Sequence, residues 1–114
     1  MNRVVITGMG VVSPIGTNLD EFSAALREGR APVAELRDFG SKAGVIREKI
    51  LPLPHFSPPK YTSILDPHIQ YILSAVEQAL AQSGLDPAQM DRSRIGVAFS
   101  SSKGGIMTVE KFYD

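Results

Sequence analysis

The sequence has no cysteine, and that one absence removes disulfides, thiolate metal sites and cysteine nucleophiles together. It has no excess of either charge. Twelve Lys and Arg balance twelve Asp and Glu, which leaves no electrostatic footprint for nucleic acid or an anionic membrane surface. No apolar run approaches the roughly 20 residues needed to span a bilayer. The amino terminus does not read as a secretory signal, because Pro14 cuts the apolar stretch short and no small-residue cleavage site follows. Low-complexity sequence is absent too, so disorder is not expected. What remains is a chain of 114 residues with 43% hydrophobic content, enough for at most one small globular domain. A cytoplasmic protein with no metal and no cofactor is the expectation.

The stretch around which the rest is organised comes first. Val4, Val5 and Ile6 are consecutive, apolar and β-branched. A strand with one wet face should alternate, so this run predicts a central strand buried on both faces of a helix-covered sheet. Gly8 and Gly10 interrupt it where the backbone has no room for a side chain. Val11 and Val12 resume the run, and Ser13-Pro14-Ile15-Gly16 then breaks it into a turn.

Two helices are well signalled. Asn18 with Glu21 three residues later has the spacing of a capping box; Leu19, Phe22 and Leu26, with Ala25 beside them, mark an inner face, and Gly29 is the stop. Asp66 caps the second helix, Pro67 occupies its first turn, and apolar residues recur at Ile69, Ile72, Leu73, Val76, Ala79 and Leu80. Gly84 ends it, with Leu85 placed to fold back on Leu80. Between the helices, prolines at 52, 54, 58 and 59 forbid regular structure around them. That region reads as a surface excursion packed by Leu51, Leu53 and Phe56, with a short edge strand within 45–53. After Gly84, Gln89 and Met90 extend a turn into a short helical piece. Arg94 to Phe99 reads as a second covered strand, Ser100 to Gly105 as the loop at its carboxyl end, and Ile106 to Tyr113 as the opening of a helix.

Two constellations carry candidate chemistry. Gly8-Met9-Gly10-Val11-Val12-Ser13 approximates a dinucleotide fingerprint with serine for the third glycine. That fingerprint needs a helix to begin at the glycines and an acidic residue after the next strand; here Pro14 and Gly16 delay the helix. The Ser100-Ser101-Ser102-Lys103-Gly104-Gly105 loop offers a serine beside a lysine, or a cradle of amides for a phosphate, but its lysine precedes the glycines and the Walker order is absent. A plain loop competes with both. Neither His55, among prolines, nor His68, beside Asp66, has a second ligand at metal spacing. His68 is expected to face solvent or to be bonded locally.

Taken together, Arg3 to Gly16, Asp66-Pro67-His68-Ile69-Gln70-Tyr71 with its helix through Gly84-Leu85, Arg94-Ile95-Gly96-Val97, and Lys103-Gly104-Gly105 resemble the amino-terminal part of the β-ketoacyl-acyl carrier protein synthases. No gaps are needed between Lys60 and Gly105, whereas residues 30 to 59 diverge. The resemblance implies an α/β thiolase-like fold, layered α-β-α-β-α, with residues 1–114 forming only the first part of its amino-terminal half and ending inside an element. It implies an acyltransferase of fatty acid or polyketide synthesis, working by decarboxylative Claisen condensation on acyl thioesters and acyl carrier protein, and usually a homodimer. Family members use a cysteine nucleophile, two histidines and a lysine, all beyond the matching segment, so no catalytic residue carries over.

Two positions depart from the family. A small or aliphatic residue is common where Lys103 stands, next to the acyl pocket, and burying an unpaired charge there would be costly. Of the basic cluster that members present to acyl carrier protein before Asp66, only Lys60 survives, flanked by Ser63 and Ile64. Lys103 is thus the substrate-binding candidate and Lys60 the partner-binding one. The leading expectation is a part of a condensing enzyme, inactive alone. Alternatives are a non-catalytic subunit that completes or regulates a ketosynthase-like partner, or a small nucleotide-binding module. Two helices cannot cover both predicted strands, so either further sequence or a partner chain, through dimerisation or association with a relative, is expected to complete the fold.

Overall fold

The computed structural model describes residues 2–32, 34–35, 49–50, 53, 56–58, 65–102, 104–105, 108–109 and 113. It divides into two compact units, one made of Met1–Gly10 with Pro58–Asp114 and the other of Val11–Ser57.

In the second of these, Ser13 and Gly16 exchange backbone hydrogen bonds of 2.9 and 3.1 Å that close the Pro14-Ile15 turn. Helix α1 (Leu19–Glu28) follows. The Asn18 side chain accepts from the Glu21 amide at 3.0 Å, while the Glu21 carboxylate accepts from the Thr17 amide at 2.8 Å and the Thr17 hydroxyl at 3.0 Å. The predicted box therefore forms, with its return bond one residue earlier than the cap. At the other end Gly29 is left-handed (φ 65°). The Arg30 amide donates to the Ala25 carbonyl at 2.9 Å and the Gly29 amide to Leu26 at 3.3 Å, the paired bonds of a Schellman stop. The expected inner face is narrower than its apolar pattern. Ala25 is 1% exposed but Leu26 is 60% exposed, since it sits in the last turn with no described element over it. The edge strand predicted within 45–53 appears as β2 (Lys49–Ile50), antiparallel to β1 (Ala34–Glu35) with Ala34 opposite Ile50. Leu53 and Phe56 are half-buried, and Leu51 lies outside the described residues.

The other unit is built on α2 (Pro67–Ser83). Asp66 caps it, Pro67 takes the first position, and Gly84 (φ 67°) ends it. The Leu85 clasp gives way to a side-chain relay. The Leu85 amide donates to the Ser83 hydroxyl at 3.1 Å, which donates to the Leu80 carbonyl at 2.8 Å, and Leu85 stays 44% exposed. Beyond it, the helical piece expected at Gln89 and Met90 is a turn held by the Asp86 side chain, which accepts from the Ala88 amide and the Gln89 side chain. A single 3-10 turn comes later, at Arg92–Arg94, capped by Asp91.

The two covered strands are not observed as such. Among the described residues neither Val4-Val5-Ile6 nor the run 95–99 joins a ladder. Val4 is 92% exposed, Ile6 82%, Val97 71% and Phe99 63%. A strand is defined by a neighbour about 4.8 Å away, and neither run has one. The layered α/β arrangement is therefore not seen in these residues, although their burial pattern in sequence is that of strands awaiting cover.

Candidate functional site

What the first unit does bring together are two of the stretches that carried the resemblance, the Gly8–Gly10 segment along α2 and the turn at Gly105 on its cap. The Gly8–Gly10 segment lies directly on this helix. A Cβ at Gly8 would fall on the Ala79 carbonyl and stand 3.1 Å from the Ser83 Cβ; one at Gly10 would fall on the Ala75 carbonyl and stand 2.9 Å from the Gln78 Cβ. Between them, the Met9 amide donates to the Gln82 side chain at 2.7 Å. The two glycines thus permit a backbone-to-helix approach on the side of α2. In a dinucleotide site, by contrast, such glycines would meet a pyrophosphate at a helix amino terminus. α1 begins only at Leu19, so the nucleotide alternative has no geometry behind it.

At the amino-terminal end of α2, one carboxylate serves three partners. Asp66 Oδ1 accepts from the His68 amide at 3.4 Å and lies 2.7 Å from His68 Nδ1. Its other oxygen, Oδ2, accepts from the Thr108 hydroxyl at 3.0 Å, 42 residues along the chain. Gly105 packs against the same oxygen, where a Cβ would sit 3.4 Å away. The Thr108 and Val109 amides both donate to the Gly105 carbonyl at 3.0 Å, so this is a helix-like turn seated on the cap of α2. The Asp66 side chain is only 8% exposed and that of His68 30%. The hydrogen bond from His68 leads in holding the Asp66 carboxyl below its ordinary value, helped by Thr108 and the His68 amide and opposed by burial. His68 is thus bonded locally, as its position beside Asp66 implied. Among the described residues no group of three or more His, Asp or Glu is placed to hold a metal.

Beside this cluster, His68, Ile69, Ile72 and Leu73 of α2 face Phe99, Ser100 and Ser101 across an apolar cavity of about 350 Å³. The Ser101 hydroxyl accepts from the Gly104 amide at 3.0 Å, closing the turn that follows. A larger hollow of about 630 Å³ in the other unit borders Glu21 and Arg30, but Glu21 is committed to Thr17 and Arg30 to Glu28 at 2.6 Å. The first cavity is the chemically interesting one, because it adjoins the Asp66 cluster. Lys103, Lys60 and His55 lie outside the described residues. Thr108 was missed by sequence reasoning, since nothing in a lone threonine 42 residues downstream announces a partner.

The model for the β-ketoacyl synthase N-terminal domain matches residues 1–113. The chain belongs to the β-ketoacyl synthase family. It is 32% identical to 3-oxoacyl-acyl-carrier-protein synthase 2 of Vibrio harveyi over 95% of its own length, and 36% identical to 3-oxoacyl-acyl-carrier-protein synthase 1 of Escherichia coli K12 over 91%. It is also 34% identical over 97% to a Streptomyces violaceoruber protein named as β-ketoacyl synthase 1 of the granaticin polyketide. The chain spans about 27% of the length of each of these relatives. No solved structure matches the chain. Family membership implies the thiolase-like fold, of which α2 with the glycine segment and the Gly105 turn is the part described. No helix among the described residues is long and apolar enough to cross a membrane.

Proposed function

We propose that this chain supplies the amino-terminal part of a β-ketoacyl-acyl carrier protein synthase, an acyltransferase that lengthens an acyl thioester by decarboxylative condensation with malonyl-acyl carrier protein. The observation that carries this reading is the family match over residues 1–113. The part taken by these residues is scaffold and pocket wall. With no cysteine in the sequence, the chain has no thiolate to form an acyl-enzyme and is inactive alone. Lys103 borders the acyl pocket and disfavours long aliphatic chains; Lys60 contributes to carrier-protein docking. The exposed Val4, Ile6, Val97 and Phe99 side chains favour completion by further sequence, a second copy or a related chain, since each buried side chain of this size is worth about 1.5–3 kcal/mol.

A test is incubation of the pure chain with an acyl donor and malonyl-acyl carrier protein, alone and with a family member's remaining segments. Ketoacyl product is expected only when the remaining segments are supplied; turnover by the pure chain contradicts the reading. The exposed runs also favour a second one, a non-catalytic subunit that completes or regulates a ketosynthase-like partner. It predicts co-purification with an intact synthase whose rate then changes, and no product from the joined segments.

A further inference from the structure

The Asp66 carboxylate is used beyond the needs of a helix cap. A cap needs one oxygen on the amides of the first turn, and Oδ1 meets that need through the His68 amide. Oδ2 instead holds the Thr108 hydroxyl at 3.0 Å and lies against Gly105. On the preceding side, the Gly104 amide is tied to Ser101 at 3.0 Å. The loop that follows the 95–99 run is thereby pinned at both ends, once to its own serine and once to α2. The same carboxylate orients His68, which borders the apolar cavity with Ile69 and Phe99. Its side chain is 8% exposed, whereas Thr108 stands at the surface.

We propose that Asp66 is a positioning residue: its two oxygens hold the turn of Gly105 and Thr108 and the His68 imidazole together at the edge of the cavity, and so fix the end of the loop that follows Ser101. The contact stands on the geometry alone; what the loop serves, the acyl-chain choice, rests on the condensing-enzyme reading. The lock has a clear chemical requirement, a hydroxyl at 108 and a carboxylate at 66. Among the described residues His68 is the titratable group facing Asp66 from its own helix. The described part of the turn, Gly104, Gly105, Thr108 and Val109, brings none.

The test reads the Asp66 side-chain carbon by NMR through an acid titration of the 114-residue chain, in wild type, Thr108→Val and Thr108→Ser. Valine removes the hydroxyl at nearly constant volume, whereas serine keeps it. The Asp66 midpoint is expected to rise in Thr108→Val and return in Thr108→Ser, and the Gly105 and Thr108 amide shifts in wild type should follow the Asp66 midpoint. An Asp66 midpoint unmoved by Thr108→Val, or Thr108 resonances flat across the titration, would overturn the proposal. A second arm places Thr108→Val in a complete condensing enzyme carrying these residues. A shifted acyl-chain profile with serine rescue supports the loop's role. An unchanged profile beside a moved midpoint leaves the lock standing and refutes its part in chain choice.

Discussion

At the start of α1, the capping bonds run within four residues: Asn18 on the Glu21 amide, Glu21 on Thr17. At the start of α2, the capping aspartate satisfies its own first turn with one oxygen and reaches 42 residues along the chain with the other. Both helices also end on a left-handed glycine. The difference lies in what else leans on them. α2 carries the glycine segment along its side and the Gly105 turn at its tip, whereas the capping bonds of Asn18, Glu21 and Gly29 at α1 close locally. A cap of the first kind stabilises a helix; one of the second kind also specifies what stands next to it.

Three substitutions and a titration sharpen that contrast. The largest effect is expected at Gly10. Gly10→Ala drives a methyl onto the Ala75 carbonyl, and relief by backbone shift should cost about 1–3 kcal/mol. Hydrogen exchange resolved by segment should show α2 loosened and α1 unchanged. Next comes Asn18→Ala, expected to cost about 1 kcal/mol through the lost cap, and here the loosening should stay within α1. Loosening of α2 by Asn18→Ala would show that the two helices are not independent in the way their bonds indicate.

The helices were legible in the sequence because their signals are local: Asn18 with Glu21, Asp66 with Pro67, and the two stop glycines are each readable within a few residues. Gly8 and Gly10 were legible as crowded positions, but the crowding body, the Ala75 and Ala79 carbonyls, was not, since it lies 65 and 71 positions along the chain. The strands illustrate the opposite case. Val4-Val5-Ile6 and 95–99 have strand composition, yet a ladder is a property of two segments, and these runs lack the second among the described residues. Thr108 gave no signal, because its partner is set by folding and its type is ordinary.

Acid should separate the two caps further. The carboxyls of Glu21 and Asp66 are both held below their ordinary values, Glu21 chiefly by the Thr17 amide and Asp66 chiefly by His68. A carboxyl with a lowered folded pKa stabilises the fold above its unfolded pKa, and that contribution is lost as pH falls through the folded value. Both helix starts should therefore weaken progressively below about pH 4. Only at α2 should the 104–109 turn detach in the same step, which amide shifts of Gly105 would record. The smallest effect is expected at the Glu28–Arg30 pair, whose side chains are 59% and 62% exposed. Glu28→Gln should change stability by less than about 1 kcal/mol, and added salt should shrink the difference further, as for other exposed ion pairs. A larger loss would mean that this pair closes the α1 stop as well as decorating it.

The central claim is that α2 carries the Gly8–Gly10 segment along its side. Nuclear Overhauser contacts between the α-protons of these glycines and the Ala75, Gln78, Ala79 and Ser83 protons test it most directly, in the 114-residue chain at the concentrations where α2 is helical. The account predicts cross-peaks from Gly8 to Ala79 and Ser83 and from Gly10 to Ala75 and Gln78. Glycine α-protons that show only sequential neighbours, beside a fully helical α2, would contradict it.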